Sequence, residues 1–242
     1  MSRDIPRRAA FWLMLPLTAM QGLWLRRVAT RLPGASGERR GSIGDGPDLH
    51  LLALGDSIID GVGTGQVEHA LPVQFAKHYA KNGGKRVHWR IEGLSGLAIR
   101  GVIERLNAIE DSYRADVVLI SVGVNDVTGL TSTRRWRRGL FELLRTIDAR
   151  WPGASVIFAG LPPMSRFPLP PQPLRFSLGL RAETLDAIAS DVTGRFPNAI
   201  HIPTKINPES NDFCPDGFHP SAVSCNLWAM ELVRIESGRG PQ

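Results

Sequence analysis

The sequence predicts an α/β domain built on a mostly parallel sheet of five strands covered by helices on both faces. Two observations carry this. Five short apolar runs read as strands: Leu49–Leu54, Val87–Ile91, Val117–Ser121, Ser155–Ala159 and Ile200–Ile202. Every interval between them is long enough for a helix, and strictly alternating strands and helices argue for parallel pairing with helical crossovers. The 242 residues, 43% of them apolar, suffice for one domain with a large core.

The chain begins with Arg3, Arg7 and Arg8 ahead of an apolar stretch, Ala9–Leu25, and Arg26, Arg27 and Arg31 follow it. This resembles a signal peptide without a small-residue cleavage site. As a spanning helix it sits at the short limit of about 17–25 residues, and Trp12 and Trp24 near its ends suit an interfacial helix equally. Residues 1–30 are expected to associate with membrane, as an anchor or an uncleaved signal; basic flanks on both sides leave the side of the membrane open. Residues 31–48, rich in Gly, Pro and Arg, read as a linker to a domain over 49–236, with a short tail at 237–242.

Within the domain, helices are expected over Val67–Lys81, Leu97–Ile109, Thr133–Arg150, Leu180–Phe196 and Ala222–Glu236. Trp136, Leu140, Leu143, Leu144 and Ile147 put one apolar face on the third of these. Gly160–Phe176 interrupts the rhythm with six prolines among apolar side chains. Proline fixes φ and removes a donor, so the segment is expected to be neither helix interior nor central strand. It reads as a rigid connector or as an apolar wall, with Met164, Phe167, Leu169 and Phe176 available to an acyl or alkyl group.

Composition narrows the partners. Net charge is +6, and only four of the 29 basic residues are Lys. Such a balance favours anionic surfaces, but no nucleic-acid-binding motif accompanies it. Cys214 and Cys225 are too few for a disulfide framework, although one bridge between them is possible in an oxidising compartment. Their spacing about His219 fits no zinc pattern. Gly61-Val62-Gly63-Thr64-Gly65-Gln66 lacks the glycine of a dinucleotide fingerprint and the Gly-Lys-Ser/Thr of a phosphate loop. No metal or cofactor is expected. Arg134, Arg135, Arg137 and Arg138 read as a solvated helix face or as an attraction for anionic lipid or an acidic substrate.

The chemistry-bearing pattern begins at Gly55–Gly61 (GDSIIDG), where Ser57 follows the first strand. In open α/β sheets ligands bind off the carboxyl ends of the strands, and a serine there becomes a nucleophile only with a base to take its proton. Of six histidines, His219 alone has an aspartate three residues before it, Asp216, placed to fix its tautomer. Donors for a developing oxyanion are available at Gly96, after the second strand, and at the side chain of Asn125, after the third. Asp56 and Asp60 are expected to hold the turn. Ser57 is not in a G-x-S-x-G elbow, because position 59 is Ile.

Together GDSIIDG, GLSG with Gly96, GVND with Asn125 and DGFHPS with Asp216 and His219 resemble, in order, the four blocks of the SGNH, or GDSL, hydrolases. The resemblance covers about residues 49–235. It implies a three-layer, flavodoxin-like α/β/α sandwich, with Ser57 as nucleophile, His219 as general base and Asp216 as its orienting acid. The Ser57 amide, Gly96 and Asn125 would form the oxyanion hole. The expected reaction is hydrolysis of a small-molecule or lipid carboxylic ester through an acyl-enzyme. A carbohydrate or cell-envelope O-deacetylase is the alternative enzyme, and a membrane-tethered binding protein without turnover the alternative of another class. One departure is Leu97-Ala98, where many members carry Asp-Thr after the glycine.

Overall fold

The computed structural model describes residues 17–25, 27, 30–204 and 212–238. Its centre is a six-stranded sheet of β1 (Arg40–Ile43), β2 (Asp48–Gly55), β3 (Arg86–Gly93), β4 (Val117–Ser121), β5 (Ser155–Ala159) and β6 (Ala199–Ile202), in the order β1-β3-β2-β4-β5-β6. All neighbours pair in parallel except β1, which runs antiparallel to β3. The five expected strands are present. The sixth, β1, lies within the stretch expected to be a linker. Residues ahead of it are also bound to the domain: Ala35 N–H donates to Asp60 O at 3.1 Å, and Gly63 N–H to Pro33 O at 3.1 Å. An edge strand with a single partner needs little apolar pattern, and Arg-Gly-Ser-Ile carries almost none.

The helices are α1 (Ser57–Asp60), α2 (Leu71–Gly83), α3 (Ile99–Asn107), α4 (Val124–Thr128), α5 (Thr133–Arg150), α6 (Leu174–Thr193) and α7 (Ala222–Ser237), with 3-10 turns at Val67–His69 and Met164–Arg166. Helix α5 has the expected bounds. Helix α6 starts six residues earlier than expected, directly after Pro173. A proline at a helix start has no hydrogen bond to lose, so the last of the six prolines opens the helix instead of excluding it.

Alternation along the strands divides the core into two layers. On one face Leu52, Leu54, Val118, Ile120 and Phe158 meet α3, α5 and α6. On the other, Leu51, Ala53, Leu119 and Ile157 meet α2 and α7. Trp136, fully buried, donates its indole N–H to Leu185 O at 2.8 Å and so ties α5 to α6. The neighbouring Arg134, Arg135, Arg137 and Arg138 are exposed, with Arg137 paired to Asp191. Cys214 and Cys225 are both free, buried thiols. Residues 17–25 are helical and lie against the domain, and among the described residues no helix is long and apolar enough to cross a membrane.

The chain leaves β2 for β3 on one side and then crosses to β4 on the other, so the crevice of an open sheet falls between β2 and β4. Gly55 closes β2 there, opposite Gly93 of β3 and Ser121 of β4. A Cβ on Gly55 would overlap the Ser121 carbonyl oxygen and crowd Ile59. Gly55→Ala is therefore expected to cost about 2–3 kcal/mol of unfolding free energy by urea titration; an unchanged midpoint would show that this approach is not tight.

Candidate active site

The turn after β2 is built by its own aspartates. Asp56 N–H donates to Ser121 O at 3.1 Å, and the Asp56 carboxylate accepts from Ile58 N–H at 3.1 Å, capping α1. Ser57 is thus the first residue of a helix, whose N–H has no intrahelical partner. Asp60 reaches further than the turn. Its Oδ1 pairs with Arg39, and its Oδ2 accepts from Ser95 N–H at 3.2 Å. It thereby fastens the glycine loop after β3 to the serine turn.

His219 arrives 162 residues later on the loop between β6 and α7. That loop folds on itself: Cys214 N–H donates to His219 O at 2.8 Å, and Gly217 N–H to Cys214 O at 2.9 Å. Asp216 Oδ1 accepts from the backbone N–H groups of Phe218 and His219, each at 3.0 Å. Its Oδ2 lies 2.6 Å from His219 Nδ1, and His219 Nε2 lies 3.0 Å from Ser57 Oγ. With Nδ1–H donating to the carboxylate, Nε2 is left to accept the serine hydroxyl. Burial pushes the Asp216 carboxyl up, but its bonds from the His219 ring and the two backbone N–H groups outweigh this and hold it below its ordinary value. Three other histidines also meet aspartates, His50 with Asp116, His88 with Asp48 and His201 with Asp186. Among the described residues only His219 meets a serine hydroxyl as well.

Gly96 and Asn125 flank this chain of bonds. In the glycine loop Leu94 N–H donates to Gly55 O, Ser95 N–H to Asp60 and Leu97 N–H to Leu94 O. Among the described residues this leaves the Gly96 N–H uncommitted. Gly96 has φ +89°, a conformation that L side chains adopt rarely. Asn125 Nδ2 donates to Leu97 O at 3.0 Å, which fixes the amide orientation and leaves a second hydrogen to offer. Asp126 accepts from Ile99 N–H at 2.9 Å and draws the start of α3 onto the same turn.

The proline segment supports the His219 loop. Leu169 N–H donates to Gly217 O at 3.1 Å, and Phe167 packs edge-on against Phe213 and Phe218, each at 5.2 Å between centroids. Met164 and Phe167 belong to the core, so Met164 is not a wall for substrate, contrary to the sequence expectation. Phe167 borders only a recess of about 10 Å³ beside Ser57, Val124 and Pro162. Leu169 alone of the three lines the larger groove, of about 510 Å³, that opens from His219. Phe176 is exposed and lines neither.

Residues 53–223 match the sequence profile of the GDSL-like lipase/acylhydrolase family. The chain belongs to this family. A GDSL-like esterase of Mycobacterium tuberculosis is 28% identical over 190 residues, covering 75% of this chain and 60% of the relative, so the chain spans less than two thirds of that protein's length. The fold is shared with the lipase/acylhydrolase of Enterococcus faecalis (23% identity, TM-score 0.60, 79% of this chain and 96% of that one). It is shared also with a family two carbohydrate esterase of Clostridium thermocellum (17% identity, TM-score 0.60, 81% and 66%).

The GDSL turn carries one buried charge problem. Asp56 is wholly buried, and burial pushes its carboxyl up to about 7, against the Ile58 N–H bond and the positive charge His219 carries when protonated. A carboxyl raised in the folded state binds a proton that the unfolded chain has released. Its ionisation penalty is absent below the unfolded value near 4 and present in full above about 7. Asn caps helices as well as Asp and cannot ionise. Asp56→Asn should therefore gain stability relative to the native protein as pH rises from 4 to 8, on the order of 2–4 kcal/mol. A pH-independent difference in urea unfolding would place the Asp56 carboxyl at its ordinary value.

Proposed function

We propose that the protein is a serine hydrolase of carboxylic esters that works through an acyl-enzyme. The observation that carries this is the continuous Asp216–His219–Ser57 chain at 2.6 and 3.0 Å, ending on a serine at a helix N-terminus. Ser57 Oγ attacks the carbonyl carbon while His219 Nε2 takes its proton, and Asp216 holds the imidazolium. The oxyanion receives the Ser57 and Gly96 N–H groups and the free Asn125 amide hydrogen. Collapse breaks the bond to the alcohol oxygen, which leaves with the proton from His219. Water, deprotonated by His219, then attacks the acyl carbon, and the acid departs as Ser57 regains its proton.

A fluorophosphonate is expected to label Ser57 and to leave Ser57→Ala unlabelled; a folded protein that resists labelling would remove the nucleophile. Asp216→Asn should lower kcat by about 10⁴ and Asn125→Ala by about 10²–10³, measured on p-nitrophenyl acetate. Loss confined to KM would place both residues outside the transition state.

We also propose that residues 17–25 attach the protein to a membrane surface. Leu17, Met20, Leu23 and Trp24 are exposed on this helix, and Arg27 and Arg31 follow it, exposed as well. Apolar side chains beside cations, with a tryptophan between them, suit the interface of an anionic bilayer. The full chain should sediment with vesicles containing phosphatidylserine, and Leu17→Ser with Trp24→Ser should release it. Equal sedimentation of the two proteins would place the contact elsewhere.

A further inference from the structure

The groove that opens from His219 holds a cation that, among the described residues, has no ion pair. Arg181, on α6, lines this groove with Ser177 and Asp216. Its guanidinium donates from Nε to Val127 O at 3.1 Å and from Nη2 to Thr131 O. These carbonyls lie at the end of α4 and in the turn after it, so part of the side chain ties α6 to that turn. An arginine carries five N–H donors. Two meet the carbonyls, and the other three, both on Nη1 among them, have no partner among the described residues. Asp126 acts on the guanidinium only from beyond ion-pair distance, and its Oδ2 accepts from Ile99 N–H. Asp216, the carboxylate that also borders the groove, is met by the His219 ring and two backbone N–H groups. Burial lowers the proton affinity of Arg181, with Asp126 opposing, but a guanidinium stays protonated in proteins. A half-buried charge whose direct partners are neutral carbonyls is left uncompensated.

A second observation is independent of this charge. Ser177 stands four residues before Arg181, on the same face of α6. It is 2% exposed and borders the groove, and its Oγ has no hydrogen-bond partner. A buried hydroxyl left unpaired is unfavourable by itself and asks for an explanation. An oxyanion would answer both groups at once, because it accepts from the hydroxyl and from the open N–H groups of the guanidinium.

We propose that Arg181 and Ser177 form a subsite for an anionic group, a carboxylate or a phosphate, that the ester carries away from its reacting carbonyl. A planar guanidinium offers paired N–H groups to such an anion, and the Ser177 hydroxyl adds a third donor. The groove, of about 510 Å³, has room for the anion and for the chain that joins it to the carbonyl beside His219. The proposal rests on the esterase reading for its catalytic use. The anion can belong to the acyl or to the alcohol part of the ester, since both meet at the carbonyl carbon.

The test uses the full-length protein and pairs of charged and neutral esters in two arms. Mono-p-nitrophenyl adipate and suberate, each with one free carboxylate, are compared with p-nitrophenyl hexanoate and octanoate, which places the anion on the acyl part. The acetate of 3-hydroxypropyl phosphate is compared with butyl acetate, which places it on the alcohol part. In the arm that matches, Arg181→Gln should lower the charged-to-neutral ratio of kcat/KM about tenfold, and Ser177→Ala about threefold. Arg181→Lys, which keeps the charge without the fork, should give an intermediate ratio. Arg138→Gln, which removes an exposed charge on α5, should move the ratio less than twofold. A purely structural role for Arg181 lowers both esters of a pair alike, so ratios unchanged in Arg181→Gln and Ser177→Ala in both arms would overturn the subsite. Should Arg181→Gln fail to fold, Arg181→Lys and Ser177→Ala decide by the same ratio. Binding separates this from the esterase reading. In Ser57→Ala, monomethyl suberate or propyl phosphate should bind about tenfold more tightly by NMR titration than when Arg181→Gln is added, whether or not the native protein turns over. Equal binding of both probes to the two proteins would refute the anion subsite even in an active esterase.

Discussion

Parallel pairing in register brings the segments of the active site to one edge of the sheet. Gly55 stands opposite both Gly93 and Ser121, so β2, β3 and β4 end at one level. The serine turn, the glycine loop and the asparagine turn therefore leave the sheet side by side. Nothing else about these segments would bring them together, because 28 residues separate Asn125 from the Leu97 carbonyl that its amide meets. Glycine at position 55 is the local condition: a side chain would push the turn away from Ser121 and lift Ser57 out of the level of its neighbours.

A second set of contacts converts this proximity into a fixed geometry. Asp60 joins Arg39, the serine turn and the glycine loop, while Asp216 spends one oxygen on two backbone N–H groups and the other on the imidazole. Each carboxylate thus positions something other than itself. Asp56 is different. It caps α1 from a fully buried place, and its ionisation is unfavourable there, so the same turn that presents Ser57 carries a cost that grows with pH.

Much of this was legible in the sequence because the signals were local or periodic. Alternating strand-like runs gave the sheet, the Trp136–Ile147 spacing gave α5 its apolar face, and the residues of the bonded chain were named from Ser57 and the Asp216–His219 spacing. Features without a pattern escaped. Arg40–Ile43 has one apolar residue, yet it pairs with β3 at the edge, where burial is not required. Proline content concealed the start of α6, since a proline at a helix start and one within it look alike. Met164 and Leu169 are both apolar and five residues apart, and only tertiary packing sends one into the core and the other to the groove.

The proposed hydrolysis turns on covalent acylation of Ser57 with His219 as its base. Rapid acid quench during turnover of a p-nitrophenyl ester, followed by peptide mapping by mass spectrometry, tests it most directly. An acyl adduct is expected on Ser57, formed in the first turnover and absent in His219→Ala. An adduct on another residue, or hydrolysis at full rate with no adduct at Ser57 and no loss in His219→Ala, would contradict it.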